Sequence, residues 1–244
     1  MPRRSFAKLD MYLSASTEPL FNALEDWMRE ACGEIDQYHD LAGFAFGQIC
    51  GIEFAKADAG TYSYLATLWL ADKSAPAGYY HSVLITPRQG GLEELEDFDP
   101  ARHKVAINEL GSFSGSVVFS SHMLGRGDAG FPRYVLSGGH VKSVQLVAEG
   151  KVKLAAIDRL SFNMAIYEQP ELIQHIRVLG QTGDYPGLPF VAPGNLPADQ
   201  VEHMIQHLLG FAETEAFQQF APRLGVGGIL RLDDPSRYAE MARL

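Results

Sequence analysis

The sequence has few cysteines and no long hydrophobic run. Among its 244 residues only Cys32 and Cys50 are cysteines, and their spacing fits neither a zinc site nor a redox motif. Free buried thiols are therefore expected, although the sequence leaves a disulfide between the two open. No window approaches the roughly 18 apolar residues that a membrane-spanning helix needs, so no membrane insertion is predicted.

Positive charge is scarce as well. Lysine and arginine number 20 against 30 aspartates and glutamates, which gives a formal net charge of −10 at pH 7. A surface that binds nucleic acid would present a basic face, so no nucleic-acid partner is expected. A small anionic ligand is not excluded, because such sites use local backbone N–H groups and not the global charge.

The start of the chain lacks the pattern of an export signal. Residues 1–4 carry positive charge, but Lys8 and Asp10 interrupt the apolar run of about 7–15 residues that a secretory signal has after its basic start. The protein is therefore expected to be cytoplasmic if the chain is complete, and periplasmic if an export signal was removed from it.

Hydrophobic periodicity predicts an α/β fold. The chain is 46% hydrophobic, so it can bury a sizeable core in one large domain or in two lobes. A first strand ends near Tyr12, and apolar residues at helical spacing over 20–31 predict the first helix. Further strands are predicted over 62–70, 81–86, 104–108, 134–137, 153–158 and 176–181, and further helices over 112–124, 140–149, 160–167 and in the tail after Pro186.

The alternation of strands and helices favours mostly parallel sheets flanked by helices. Two such units, joined by short crossings near 87–91 and 181–187, would give two lobes around a ligand cleft. The predicted domains are therefore a discontinuous first lobe, residues 1–87 and 186–244, and a second lobe, residues 88–185.

The most informative local feature is the loop from a strand to a helix at residues 108–115. Such a loop points several backbone N–H groups and the positive end of a helix dipole at one spot. Ser112 and Ser114 add two hydroxyls there for an oxyanion, and the alternative is that Ser112 only caps the helix. The loop is not a Walker phosphate loop, since no lysine follows its glycines, nor a nucleophile elbow, since Phe113 holds the central position.

Two further junctions from a strand to a helix repeat this arrangement. At residues 137–143, His140 stands at the start of a predicted helix, where its imidazole could donate to an anion, and Ser143 follows it. Asp158 ends an apolar strand, a position that faces the ligand cleft in open α/β sheets. Convergence of the three junctions is the functional hypothesis, and three independent helix caps are the alternative.

Three tyrosines are candidates for the wall of the site. Tyr79 and Tyr80 precede the strand that leads into the first crossing, and Tyr12 ends the first strand. Each offers a phenol hydroxyl, although packing in the core or at the surface is the alternative.

His203 and His207 are four residues apart on a predicted helix, as paired metal ligands can be. A zinc protease helix would need glutamate where Met204 stands. Both histidines lie opposite the apolar stripe of that helix, so they are expected to face solvent. No metal site and no cofactor are predicted.

In this order the motifs resemble the phosphate/phosphite/phosphonate-binding proteins of ABC transporters. The resemblance runs from about residue 60 to residue 210. The segments that carry it are an aromatic–serine strand at 80–85, a strand with a serine-rich helix start at 105–115, a Gly-Gly-His-x-x-Ser segment at 138–143, a segment like Gly-x-x-x-Ala-Ala-x-Asp at 150–158 with one extra residue, and the Asn-Leu-Pro helix entry at 195–197.

The resemblance implies the type 2 periplasmic-binding fold, with the ligand between two lobes that close by hinge motion. It also implies that Ser112, Ser114 and His140 hold the oxyanion. Phe113 departs from the small hydroxyl residue that the family often has there, which could change the choice of anion. The predicted ligand-binding residues are Tyr12, Tyr79, Tyr80, Ser112, Phe113, Ser114, Gly115, His140, Ser143 and Asp158.

The implied function is the binding of phosphate, phosphonate or a related oxyanion, without catalysis. The protein would serve either as a solute-binding protein with an ABC permease as partner or as a cytoplasmic sensor. The alternatives are a cytoplasmic enzyme on the same fold that acts on a small anionic metabolite, and an interaction module that has lost its ligand. The sequence shows no pair of base and nucleophile, which argues against the hypothesis of an enzyme.

Overall fold

A computed structural model describes residues 6–32, 43–125 and 130–244. The basic residues 1–4, which entered the prediction about export, lie outside the described residues. The helices are α1 Glu18–Cys32, α2 Gly51–Lys56, α3 Val118–Leu124, α4 His140–Ala148, α5 Arg159–Glu168, α6 Pro170–Ile173, α7 Ala198–Phe211 and α8 Glu215–Leu224. A π-helical turn, Phe113–Val117, precedes α3, and short 3₁₀ segments lie at Leu95–Asp97 and Pro235–Arg243.

Most of the strands are short. They are β1 Ala7–Lys8, β2 Phe46–Gln48, β3 Tyr62–Leu70, β4 Tyr79–Tyr80, β5 Ser82–Pro87, β6 Val105–Ile107, β7 Tyr134–Leu136, β8 Leu154–Asp158, β9 Ile176–Gln181, β10 Tyr185–Pro186, β11 Pro189–Pro193 and β12 Val226–Leu230. None of the helices in the described residues is long and apolar enough to cross a membrane.

The chain divides into two compact units. Unit 1 comprises Met1–Tyr79 and Pro186–Ala242, and unit 2 comprises Tyr80–Tyr185 with the last two residues. The first boundary therefore lies before the predicted crossing at 87–91, and β5 belongs to unit 2.

Unit 1 is built on a mixed sheet. Among the described residues its strand order is β1-β2-β11-β3-β12, and only the β1/β2 pair is parallel. Helix α7 packs on β3 and on α1, and the predicted apolar stripe of α1 is buried, with Met28 fully enclosed. Both cysteines are free thiols, and Cys32 is buried as expected, whereas Cys50 is only half-buried. Burial raises the pKa of the Cys32 thiol to about 12, against the opposing charge of Arg29.

The tail after Pro186 contains strands as well as helices, which corrects the helical prediction. β11 lies between β2 and β3 in the sheet of unit 1, and its five residues are all buried. The strand is difficult to predict because so short a run has proline at both ends, and proline is uncommon inside a sheet. β12 carries two glycines, Gly227 and Gly228, which also lower the strand signal.

Unit 2 contains a second mixed sheet. In the described part of the chain its order is β7-β6-β8-β5-β9, with β6 parallel to β7 and β8, and β5 antiparallel to both β8 and β9. The prediction of mostly parallel sheets is therefore wrong for both units. Buried strands of either direction read as short apolar runs, so the sequence pattern does not record their direction.

Five polar residues line the end of this sheet at which β6, β7, β8 and β9 finish. We call this end the polar edge, and its residues are Ser82, Asn108, Ser137, Asp158 and Thr182. Ser82 begins β5 and pairs with Asp158 at the end of β8. Ser137 N donates to Ile107 O, and Thr182 N donates to Ser82 O, both at 2.9 Å. Because β5 runs in the opposite direction to the other strands, its beginning lies at the same end of the sheet as the carboxyl ends of β6, β7, β8 and β9.

Candidate functional site

Ser112 and the segment after it follow β6 on the polar edge. Ser112 has an extended backbone, and its Oγ accepts hydrogen bonds from Gly115 N at 3.3 Å and from Asn108 Nδ2 at 2.9 Å. Ser112 therefore caps the π-helical turn, which is the role that a helix cap at this position would have. Its neighbour Ser114 is buried, and the Ser114 carbonyl accepts from Ser82 Oγ at 2.9 Å.

The start of α4 is the second component of the site. Its N-cap is Gly139, which has no side chain that could cap the helix, and the first helical bond runs from Ser143 N to Gly139 O at 3.0 Å. The N–H groups of residues 140–142 have no partner within the helix, because the first turn of any helix leaves them unpaired. They add to the positive end of the helix dipole.

Side chains from the two segments are in direct contact. His140 Nε2 lies 2.9 Å from Ser114 Oγ and 3.3 Å from Asn108 Nδ2. Gly115 leaves room for this contact, since a Cβ there would lie 2.0 Å from Asn108 Oδ1 and 3.1 Å from His140 Cε1. The structure thus brings Ser112, Ser114 and His140 together on one edge of unit 2.

His140 is held in its neutral form. Desolvation by burial lowers the pKa of the imidazole to about 4, while an interaction with the Ala156 backbone opposes this shift. The residue is half-buried as a whole, but its Nδ1 is fully enclosed. At neutral pH the ring therefore contributes hydrogen bonds to the site and no positive charge.

Asp158 lies on the polar edge at the end of β8, where the sequence predicted it. It is 2% exposed, and its Oδ1 accepts from Leu160 N at 2.9 Å and from Ser161 N at 3.0 Å. This carboxylate therefore caps α5. Its contribution to ligand binding stays a prediction.

Phe113, Ser143 and Tyr80 are buried in unit 2. The Phe113 ring packs edge-to-face on Tyr185, with 4.9 Å between the ring centroids. Ser143 Oγ lies 2.7 Å from Ser137 Oγ, a contact that braces the turn before α4. Tyr80 is 3% exposed in β4. These contacts support the fold of the site, and a contact with the ligand stays a prediction for each residue.

Tyr12 and Tyr79 belong to unit 1, so the contacts within unit 2 do not include them. Tyr12 is 4% exposed, and its carbonyl accepts from Thr17 Oγ1 at 2.7 Å. Tyr79 is half-buried, and its N–H donates to Pro76 O at 2.9 Å. Their place in a binding site also stays a prediction.

Sequence reasoning missed three polar residues of unit 2. Asn108 joins Ser112 to His140, Ser82 supports the Ser114 backbone, and the buried His81 has its Nδ1 3.2 Å from Asp184 Oδ1. Asn108 and Ser82 could have been found from their positions, since each stands at the end of a predicted strand. The pairing of His81 with Asp184 joins residues far apart in the chain, and no local pattern indicates it.

The expectation for the histidines of α7 is wrong in part. His203 is exposed, but the His207 ring stacks on Trp27 with 4.6 Å between the centroids, and its Nε2 donates to Trp27 O at 2.9 Å. A half-buried histidine can lie beside the apolar stripe when its ring finds both a stacking and a hydrogen-bond partner. Within the described residues, no three His, Cys, Asp or Glu side chains are placed to hold a metal ion.

Several solved structures share the fold of this chain. A binding protein component of an ABC phosphonate transporter from Pseudomonas aeruginosa superposes with a TM-score of 0.73 at 18% identity, covering 95% of this chain and 82% of the other. PhnD1 from Prochlorococcus marinus, solved with methylphosphonate, gives 0.72 at 10% identity, with 98% and 97% covered. A Xanthomonas citri protein bound to ATP gives 0.67 at 14%, with 98% and 96% covered. The fold is therefore that of the type 2 periplasmic binding proteins, as predicted.

The family is defined by the sequence itself. Residues 44–238 match the family described as ABC transporter, phosphonate, periplasmic substrate-binding protein, and the chain belongs to this family. The resemblance inferred from the motifs is thus confirmed. No match was found among curated proteins. The family is one of solute-binding proteins and not of enzymes, and its description places its members in the periplasm as parts of ABC transporters.

Proposed function

We propose that this protein binds a small oxyanion of the phosphate or phosphonate class at the polar edge of unit 2. The observation that carries the proposal is the contact between His140 Nε2 and Ser114 Oγ at 2.9 Å. It joins the serine segment after β6 to the uncapped start of α4. The ligand would lie against the N–H groups of residues 140–142 and the hydroxyls of Ser112 and Ser114.

The chemistry of this site suits an oxyanion of low charge. The start of a helix offers N–H groups and a partial positive charge of about half a unit. Hydrogen bonds to a charged group contribute roughly 1.5–3 kcal/mol each before the cost of desolvation. With His140 neutral, the ring adds no full charge to this attraction.

We propose transport as the physiological role. The family description supports a periplasmic protein that delivers its solute to an ABC permease. The Pseudomonas neighbour is a component of a phosphonate transporter, and the Prochlorococcus neighbour was solved with methylphosphonate. Phosphonates are therefore the first ligands to test, and fractionation of cells that express the full gene tests the location.

The contact between Ser114 and His140 also invites comparison with a nucleophile and its base. A general base works best with a pKa near the operating pH, whereas burial lowers the pKa of His140 to about 4. In serine hydrolases a carboxylate orients the other ring nitrogen, but here Nδ1 of His140 is buried and has no hydrogen-bond partner among the described residues. Both features favour binding over catalysis.

A thermal-shift screen tests the proposed function. The panel contains phosphate, phosphite, methylphosphonate, sulfate and methanesulfonate. A ligand at a hundredfold its dissociation constant adds about 2.7 kcal/mol of stability, or roughly 5–10 °C for a chain of this size. Absence of a shift with every phosphorus oxyanion would refute the proposal.

A pair of serine variants locates the site. Ser114→Ala removes a hydroxyl that faces His140, and we expect affinity for the best ligand of the panel to fall about tenfold to a hundredfold. Ser121→Ala, a control in the middle of α3, should keep the affinity of the wild type. Equal affinities for both variants, measured by calorimetry, would place the ligand elsewhere.

A further inference from the structure

Asn108 occupies a special position at the end of β6. Its Nδ2 lies 2.9 Å from Ser112 Oγ and 3.3 Å from His140 Nε2. Its Oδ1 is buried and has no hydrogen-bond partner among the described residues. An apolar residue of similar shape would avoid this unpaired oxygen, so the contacts of the amide nitrogen are the feature that requires an asparagine.

The orientation of the amide follows from the same contacts. The NH₂ group has two donors, one for Ser112 Oγ and one for His140 Nε2. In the reverse orientation these two donors would face Gly115, at the place where Oδ1 now lies in the described structure. His140 Nδ1 has no partner in either case, so the reverse orientation leaves two buried donors and one acceptor unpaired, whereas the observed one leaves one donor and one acceptor.

This orientation makes Ser112 a donor toward the ligand. A serine hydroxyl has one hydrogen and two acceptor positions. Both acceptor positions of Ser112 Oγ are taken, by Asn108 Nδ2 at 2.9 Å and by Gly115 N at 3.3 Å. Its hydrogen is left to donate to a bound group.

Ser114 has the opposite hydrogen-bond role toward the ligand. Because His140 Nε2 accepts from Asn108, it carries no proton, and the ring holds its proton on Nδ1. Ser114 Oγ lies 2.9 Å from the same Nε2, and two lone pairs would repel each other at that distance. Ser114 therefore donates its hydrogen to His140 and presents only lone pairs to a ligand.

We propose that Asn108 is a specificity-determining residue that gives Ser112 and Ser114 opposite hydrogen-bond polarity. The site would then select a tetrahedral oxyanion that keeps one proton, such as a hydrogen phosphonate or hydrogen phosphate, over one that has none, such as a sulfonate or sulfate. The anionic oxygen accepts from Ser112, and the protonated oxygen donates to Ser114. This inference rests on the proposed function, because it describes the ligand of the same site.

The first test compares two anions of the same shape by calorimetry. At mildly acidic pH methylphosphonate keeps one proton, whereas methanesulfonate has none. The wild type should bind methylphosphonate about tenfold to a hundredfold more tightly, since a site built for a hydroxyl rejects an analogue without it. Asn108→Leu removes both donors and should bring the two affinities within about threefold of each other.

Gln145→Leu is the matched control for this variant. Gln145 is an amide of α4 that bonds to Lys142 and Glu149 on the exposed side of the helix, and the variant should keep the preference of the wild type. Equal binding of both anions by the wild type, or an unchanged preference in Asn108→Leu, would overturn the inference alone. Failure of the wild type to bind any phosphorus oxyanion of the panel would overturn the proposed function together with it.

Nitrogen NMR of the wild type gives a readout that does not depend on affinity. The ¹⁵N shifts of the His140 ring in the free protein distinguish its two neutral tautomers. We expect the tautomer with the proton on Nδ1. A proton on Nε2 would mean that Asn108 presents its oxygen to the ring, which would overturn the proposed polarity.

Discussion

Helices α4 and α5 both start at the polar edge of unit 2, but their first turns are paired differently. At α5 the Asp158 carboxylate accepts from Leu160 N and Ser161 N. At α4 the corresponding position is Gly139, which has no side chain. A helix start that binds its own carboxylate is a structural cap, whereas one without a side chain leaves its N–H groups for a ligand. The two junctions look alike in the sequence, and the residue at the N-cap separates them.

The largest expected effect comes from giving α4 the cap that α5 has. Gly139 has an extended backbone, with φ at 168°, and a Cβ there would meet no atom within 4 Å. In Gly139→Asp the carboxylate would occupy the N–H groups of the first turn and repel an anion. We expect affinity for the oxyanion to fall at least a hundredfold, with stability unchanged or slightly raised.

Gly139→Asn is the control for charge, because asparagine caps as well as aspartate does. It should weaken binding less than Gly139→Asp. Full affinity in the aspartate variant, measured by calorimetry, would mean that the start of α4 does not bind the anion.

The second effect concerns the pH dependence of stability. Burial lowers the pKa of folded His140 from 6.5 to about 4, so between these values the unfolded chain binds a proton that the folded one does not. The stability present above pH 6.5 should therefore decline by about 3 kcal/mol as the pH falls toward 4. Urea unfolding followed by circular dichroism measures this change.

His140→Gln removes the titrating group and should flatten the curve in this window. An equal slope in wild type and variant would show that His140 is not the group that titrates. Other histidines keep their contribution in both proteins, so the difference between the two curves isolates His140.

The smallest effect comes from removing the cap of α5. Asp158→Ala should cost about 1–2 kcal/mol of stability, because two N–H groups of the helix lose their acceptor. Affinity for the oxyanion should stay within about threefold of the wild type if Asp158 serves mainly as a cap. A large loss of affinity at unchanged stability would instead make Asp158 a ligand-binding residue.

Much of the fold could be predicted because local patterns are strong where elements are long or amphipathic. The stripe of α1 and the nine residues of β3 were located correctly, and so were the starts of α4 and β9. β11 was missed because a run of five buried residues that starts and ends with proline carries no periodicity. Strand direction was also missed, since β5 has the same apolar pattern whether its neighbours run with it or against it.

The site could be predicted only to the level of its junctions. Serine, histidine and aspartate after predicted strands indicated where polar groups would gather, and the contact of Ser114 with His140 shows two of these junctions side by side. The sequence places Gly139 before α4 and Asp158 before α5, but only the structure shows that Asp158 bonds to the first turn of its helix. The sequence also did not single out Asn108, whose importance depends on distances to Ser112 and His140 that only the folded chain defines.

The most direct test of the difference between the two helix starts is amide NMR during a titration with methylphosphonate. Binding at the start of α4 should shift the backbone N–H signals of residues 140–142 strongly. The signals of Leu160 and Ser161, already bonded to Asp158, should change little. The reverse pattern, with α5 responding and α4 silent, would contradict the account.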